Sequence, residues 1–314
     1  MPLSKIAFAP GINKEGTQYT ADSGWFDSDK IRFRKGRVEK IGGWQKYITS
    51  SIKGVCRSLM DWGSSDGQVF LGIGTNLKFY VESGGSLNDV TPIRATTTNA
   101  ATFAATNGSS TITVTDNSHG AVAGDFVTYS GAATLGGNIT ATVLNQEYQV
   151  NVILTDNTYT ITALDTSGSA VTANSSDTGN GGGSVTAAYQ INTGLNFYVS
   201  STGWSVGPWS AGAWGSTTAL TQANQLRLFS QDAFGDDLIF NPRAGGVFFW
   251  DKSSGLSTRA VALSSLGGAS NTPTAAFQVM ISDIDRHVIC FGANPIGGST
   301  LDPLLVRWSD QENA

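Results

Sequence analysis

Apolar and polar residues alternate in short runs along this chain, with polar, glycine-rich gaps between them, and no 3.6-residue period persists for a useful length. Ile31 and Phe33 alternate with Lys30, Arg32 and Arg34, which predicts a half-buried strand with one basic and one apolar face. Lys35-Gly36 then predicts a turn and residues 38–41 a short return strand. Residues 55–62, 68–72 and 77–81 predict a meander, with turns at 64–67 and 74–76 and a Gly-Gly turn after the third strand. Residues 1–24, punctuated by Pro2, Pro10 and Gly11, read as an extended arm.

Related units return at 226–251, with strands at 238–240 and 247–250, and at 277–308, with strands at 279–282, 287–291 and 304–308. Aligning them sets Phe70-Leu71-Gly72 beside Leu238-Ile239-Phe240 and Ile289-Cys290-Phe291. Such meanders suit propeller blades or the sheets of a sandwich. Between the first two units the chain becomes rich in Thr, Ala, Asn, Ser and Gly, yet residues 111–115, 125–129, 148–154, 158–162 and 185–191 still alternate as strands. Residues 180–183 read as a hinge. The expected fold is all-β, with β-propeller-like meanders interrupted by a small inserted β-sandwich or barrel domain. Residues 1–94 hold the N-terminal arm and first unit, 95–194 the insert, and 195–314 the continuation of the propeller-like domain.

Composition supports an all-β chain: 14% charged residues is well below the roughly 25% typical of soluble domains, and 38 glycines favour turns. The net charge of -5 is unevenly spread. Residues 1–94 hold 13 Lys/Arg against 9 Asp/Glu, whereas 95–226 hold no Lys or Arg and six acids. That polarity suits an assembly subunit whose ends meet different partners, and equally a plain difference between domains. Cys56 and Cys290 lack metal-ligand spacing and read as buried free thiols. The N-terminus lacks the apolar core of a signal peptide, and no run approaches a membrane span, so a soluble protein made in a cytoplasm is expected.

Chemistry is sparse. His119 and His287 stand apart from other metal-ligating residues, and no nucleophile elbow or P-loop occurs. Gly72-Ile73-Gly74 is a fragment of a dinucleotide fingerprint without a following helix, and reads as a turn. Asp27/Asp29, Asp236/Asp237 and Asp283/Asp285 are carboxylate pairs of the kind a glycosidase uses, but adjacent turn aspartates far more often form Asx turns. No catalytic residue, metal ligand or cofactor is therefore expected. Trp204, Trp209 and Trp214 recur five apart in a glycine-rich stretch. They suit either a stacking platform for glycan or base, or plugs of a core or subunit boundary. The absence of nearby basic residues favours plugs.

The run from Asp27 to Trp44, DSDKIRFRKGRVEKIGGW, resembles the N-terminal signature of tail nozzle or hub and packaged-DNA-stabilisation proteins of short-tailed bacteriophages. Phe234-Gly235-Asp236-Asp237-Leu238-Ile239 with Phe249-Trp250-Asp251 is similar to a blade segment of that group. Ser118-His119-Gly120, Gly124-Asp125-Phe126-Val127 and Tyr159-Thr160-Ile161-Thr162 look like a small β-module of phage tail proteins. The resemblance implies a non-enzymatic virion protein made in the host cytoplasm, a ring of six copies below portal and adaptor, with tail-fibre neighbours and double-stranded DNA in transit. It gives no catalytic residues to carry over. The expected interface residues are Arg32, Arg34, Arg37, Trp25 and Trp44. The alternative is a tail adhesin gripping host glycan through Trp204, Trp209 and Trp214, and a polysaccharide depolymerase is a second rival.

Overall fold

The computed structural model describes residues 9–19, 24–43, 45–180, 183–196 and 226–313. The chain divides into two compact units, Met1–Thr49 and Ser50–Ala314.

The first unit is built around a hairpin of β1 (Ile31–Arg34) and β2 (Arg37–Lys40). Lys35 and Gly36 take φ of 50° and 75°, the left-handed pair whose twist matches the flanking strands of a two-residue hairpin. The expected turn at Lys35-Gly36 is present, and the return strand begins one residue earlier than expected and ends at Lys40.

The second unit begins with a four-stranded antiparallel meander of β3 (Cys56–Gly63), β4 (Val69–Thr75), β5 (Phe79–Ser83) and β6 (Ser86–Asp89). Two packed sheets follow. One has the order β11-β10-β15-β7, from β7 (Ile93–Thr98), β10 (Phe126–Ser130), β11 (Glu147–Gln149) and β15 (Thr186–Gln190). The other has the order β12-β13-β9-β8-β14, from β8 (Thr102–Ala105), β9 (Thr111–Thr115), β12 (Val152–Thr155), β13 (Thr158–Thr162) and β14 (Asp177–Asn180). They enclose a core that includes Phe103, Ile112, Tyr129, Tyr148, Tyr159 and Tyr189. Among the described residues there is one α-helix, α1 (Ala141–Leu144), capped by Thr140. The meanders then resume with β16 (Phe229–Phe234), β17 (Asp237–Pro242), β18 (Phe248–Trp250) and β19 (Val261–Ala262). The last sheet has three strands, β20 (Gln278–Ile281), β21 (Val288–Phe291) and β22 (Val306–Trp308).

The three meander sheets stack face to face in a propeller-like manner. Alternation along β17 explains how the middle sheet is covered on both sides. Leu238 and Phe240 join Phe70, Phe79 and Trp250 in the core against the first sheet. Ile239 points the other way and joins Val279, Val288 and Cys290 against the third. Phe79 and Phe240 stack at 3.9 Å with rings 5° apart, and Trp250 meets Phe70 edge-on at 5.8 Å. The first strand of each meander also meets its neighbour. Gln231 Nε2 donates to Ser58 Oγ at 2.7 Å, while Ser230 Oγ and Asp232 Oδ2 accept from the backbone N–H groups of Val279 and Ile281 at 2.9 and 2.8 Å.

Several expectations are corrected. Gly72 and Gly74 lie inside β4 rather than in a turn, because β16 presses on them: a Cβ there would meet Gln231 Oε1 at 2.3 Å and Phe229 Cδ2 at 2.7 Å. Residues 148–154 form two strands in different sheets, β11 and β12, since the chain crosses between layers there. Asn180 ends β14, and residues 181 and 182 of the expected hinge lie outside the described residues. The alignment of units was one residue out in the second. Leu71 faces away from the middle sheet and Cys290 faces back toward it, whereas Ile239 faces forward, and a one-residue slip reverses every face. Cys56 is exposed, not buried, because it opens an outer strand.

Candidate functional site

The hairpin gathers its arginines on one face, with Lys40 the strand charge on the other. Arg32 stands opposite Glu39, and Arg34 opposite Arg37; Phe33 pairs with Val38 and Ile31 with Lys40 on the other face. Arg32 Nε reaches Glu39 Oε2 at 3.3 Å. Arg34 and Arg37 are exposed and have no ionic partner among the described residues, with Lys35 between them at the tip. Like charges directly opposite on paired strands are destabilising. The fold holds this pair together without compensating it. Trp25 lies on the apolar face, its ring 6.3 Å from Phe33. Three expected interface residues thus share one face and Trp25 takes the other. Trp44 lies outside the described residues, as do Trp204, Trp209 and Trp214.

The third sheet leaves a face open. Met280, Ile289 and Trp308 form one cross-strand row and Gln278, Phe291 and Val306 the next. None of the six is buried, and Trp308 is 71% exposed. The turn after β20 and the segment after β22 meet at one end of this face, where Arg286 Nη2 bonds Glu312 Oε1 at 2.9 Å and His287 Nδ1 lies 2.8 Å from the Ser309 carbonyl. Asp283, Asp285, Asp310 and Glu312 are all exposed at this end. Sequence alternation gave the faces of these strands but carried no signal of what covers them.

Sequence reasoning missed a buried ion cluster where the first and second meanders meet the inserted sheets. The Lys78 side chain is 2% exposed; its Nζ bonds Asp89 Oδ2 at 2.6 Å and the Glu147 carboxylate. Lys53 reaches Glu147 at 2.9 Å, Gln190 Nε2 donates to it at 2.7 Å, and Arg259 reaches Asp89 at 3.4 Å. Phe126 lies under both lysines, 4.5 Å from Lys78 and 5.1 Å from Lys53. Burial alone would raise the carboxyl pKa values, but Lys78 with Arg259 at Asp89, and Lys78 with Lys53 at Glu147, hold both below the usual range. Of the insert's six acids, Asp116, Asp125 and Glu147 are thus spent internally. Asp116 accepts from Tyr189 Oη at 2.7 Å and Thr97 Oγ1 at 2.6 Å, and Asp125 from Thr193 N at 3.0 Å.

The remaining candidates are engaged in turns and packing. Asp236 accepts from Ser65 N and Oγ at 2.8 and 2.7 Å, tying the turns of the first two meanders together, and Asp237 accepts from Lys252 N at 2.9 Å. Ser65 donors hold Asp236 below its usual pKa, whereas burial pushes Asp237 up. Asp27 binds Lys14 at 3.1 Å and Asp29 lies 3.6 Å from Lys30. His119 is buried, its Nδ1 accepting from Ala121 N at 3.0 Å and its ring edge-on to Tyr159. A cavity of about 260 Å³ beside β21 and β22 is lined by Leu263, Asn271, Cys290 and Arg307. Arg307 donates to the carbonyls of Asn294 and Asn271. Burial pushes the Cys290 thiol up to about 11. Among the described residues, no cluster of three His, Cys, Asp or Glu stands close enough to hold a metal ion, and no helix is long and apolar enough to cross a membrane.

The sequence matches no known protein family and no curated protein. Among solved structures it is similar to the phage phi92 endosialidase, with 16% identity and a TM-score of 0.24 over 82% of this chain. The chain spans 37% of the length of that protein, and an overlap this slight carries no argument for fold or role.

Proposed function

We propose that this chain is a structural subunit of the tail nozzle or hub of a short-tailed bacteriophage, retaining packaged DNA and forming by self-assembly a conduit for its ejection. The observation that carries the reading is the hairpin. The segment with the closest resemblance to nozzle proteins folds as an exposed element whose Arg34 and Arg37 repel each other and lack an ionic partner among the described residues. Such an element contributes little to its own fold and suits docking on a neighbour. In this reading the protein resides in the virion tail as one of six copies, with portal or adaptor above and tail-fibre proteins beside it. A conduit for DNA must not grip phosphate, since each neutralised phosphate adds affinity and slows transit. The lumen is therefore neutral or acidic, and the basic hairpin faces protein.

The Arg32→Ala/Arg34→Ala/Arg37→Ala variant tests the docking role. It should melt within a few degrees of the wild type and fail to assemble when followed by size-exclusion chromatography with light scattering. Normal assembly of the variant would refute the role of the hairpin.

A further inference from the structure

The open face of the third sheet breaks the rule that the solvated side of an antiparallel sheet is polar. Five of its six residues are apolar, and none is buried. Both faces of the middle meander are covered, and the third sheet's other face is packed against it. The end of the open face is acidic, with Asp283, Asp285, Asp310 and Glu312, of which Arg286 pairs with Glu312. The hairpin has the complementary make-up: Phe33, Val38 and Ile31 with Trp25 on one face, where Lys40 opposite Ile31 is the one charge at the far end from the turn, and Arg34, Lys35 and Arg37 at its tip.

We infer that the β1–β2 hairpin of a second copy of this chain covers the open face of the third sheet, its basic tip against the acidic end and its apolar side toward Trp308 and Met280. Trp308, 71% exposed at the end of its row, is the anchor, since large aromatic side chains dominate interface energetics. The tip charges select the partner and set the direction of docking. A contact between two different surfaces propagates from copy to copy and closes as a ring when the rotation permits. Protein is favoured over nucleic acid as the occupant of the tip, because three cations flanked by apolar side chains neutralise few phosphates and bind DNA weakly at physiological salt. The inference rests on the self-assembly part of the proposed function and names the surfaces that carry it.

Charge exchange between full-length chains tests it. Arg34→Glu/Arg37→Glu and Asp283→Arg/Asp285→Arg change only exposed side chains, and circular dichroism melts should match the wild type. Sedimentation velocity over a concentration series should show each variant associating at least about tenfold more weakly than wild type. An equimolar mixture of the two should recover to within about threefold, because every contact between unlike copies is again complementary. Trp308→Ser should weaken association without altering its salt dependence. Association of either reversed variant as tight as wild type, or no recovery on mixing, would overturn this contact while leaving self-assembly intact. A wild-type chain that stays monomeric at every concentration would overturn both. If the Arg variant instead lost binding to a labelled DNA duplex with association unchanged, the tip would belong to nucleic acid and the inference would fall.

Discussion

Lys78 and Arg34 carry the same charge in opposite settings. Lys78 is withdrawn from water and bonded to two carboxylates, with an aromatic ring beneath its ammonium. Arg34 is exposed, opposite another arginine, and unpaired among the described residues. A buried charge is tolerated only when its partners are in place, so the Lys78 cluster specifies how the inserted sheets sit on the meanders. An exposed charge held next to its like adds nothing to the fold, and this is why a docking role is proposed for Arg34. Charge alone does not separate the two settings; burial and pairing do.

That contrast can be broken by substitution, most severely at the cluster. Lys78→Met should destabilise by about 3–5 kcal/mol, since it removes the buried cation that Asp89 and Glu147 share and leaves each only a more exposed partner, Arg259 and Lys53; chemical denaturation would measure it. Phe240→Ala, which removes the stack on Phe79, should cost a similar amount, about 3–5 kcal/mol. Gly74→Ala should cost about 1–3 kcal/mol by forcing Phe229 away. Acid should act on the cluster and not on the tip. Asp89 and Glu147 have depressed folded pKa values, so their stabilisation is complete above the usual carboxylate range and lost as pH falls through the folded values. The melting temperature should be level near neutrality and drop below about pH 4. At the other extreme, Arg34→Glu/Arg37→Glu should change stability by no more than about 0.5 kcal/mol while weakening association. A large loss of stability there would erase the distinction between the two settings.

The hairpin was legible because its alternation, its Lys-Gly turn and its charges all lie within ten residues. The meanders were legible as strands for the same reason. Their fourth strands, Ser86–Asp89 and Val261–Ala262, were not, being short and weakly apolar. The Gly72 and Gly74 error shows the limit of local reading. Glycine in a strand and glycine in a turn look alike until the residue pressing on it, here Phe229 far along the chain, is known. The Lys78 cluster was invisible for the same cause, since its members come from positions 53, 78, 89, 147 and 259. Neither composition nor period encodes which distant charges meet.

The central claim is that the exposed basic hairpin serves a self-assembling conduit, and imaging the full chain in negative stain at concentrations that favour association tests it most directly. The account predicts closed rings of uniform size with an open centre that disappear in the Arg34→Glu/Arg37→Glu variant. Single particles without rotational symmetry, or rings unchanged by that variant, would contradict it.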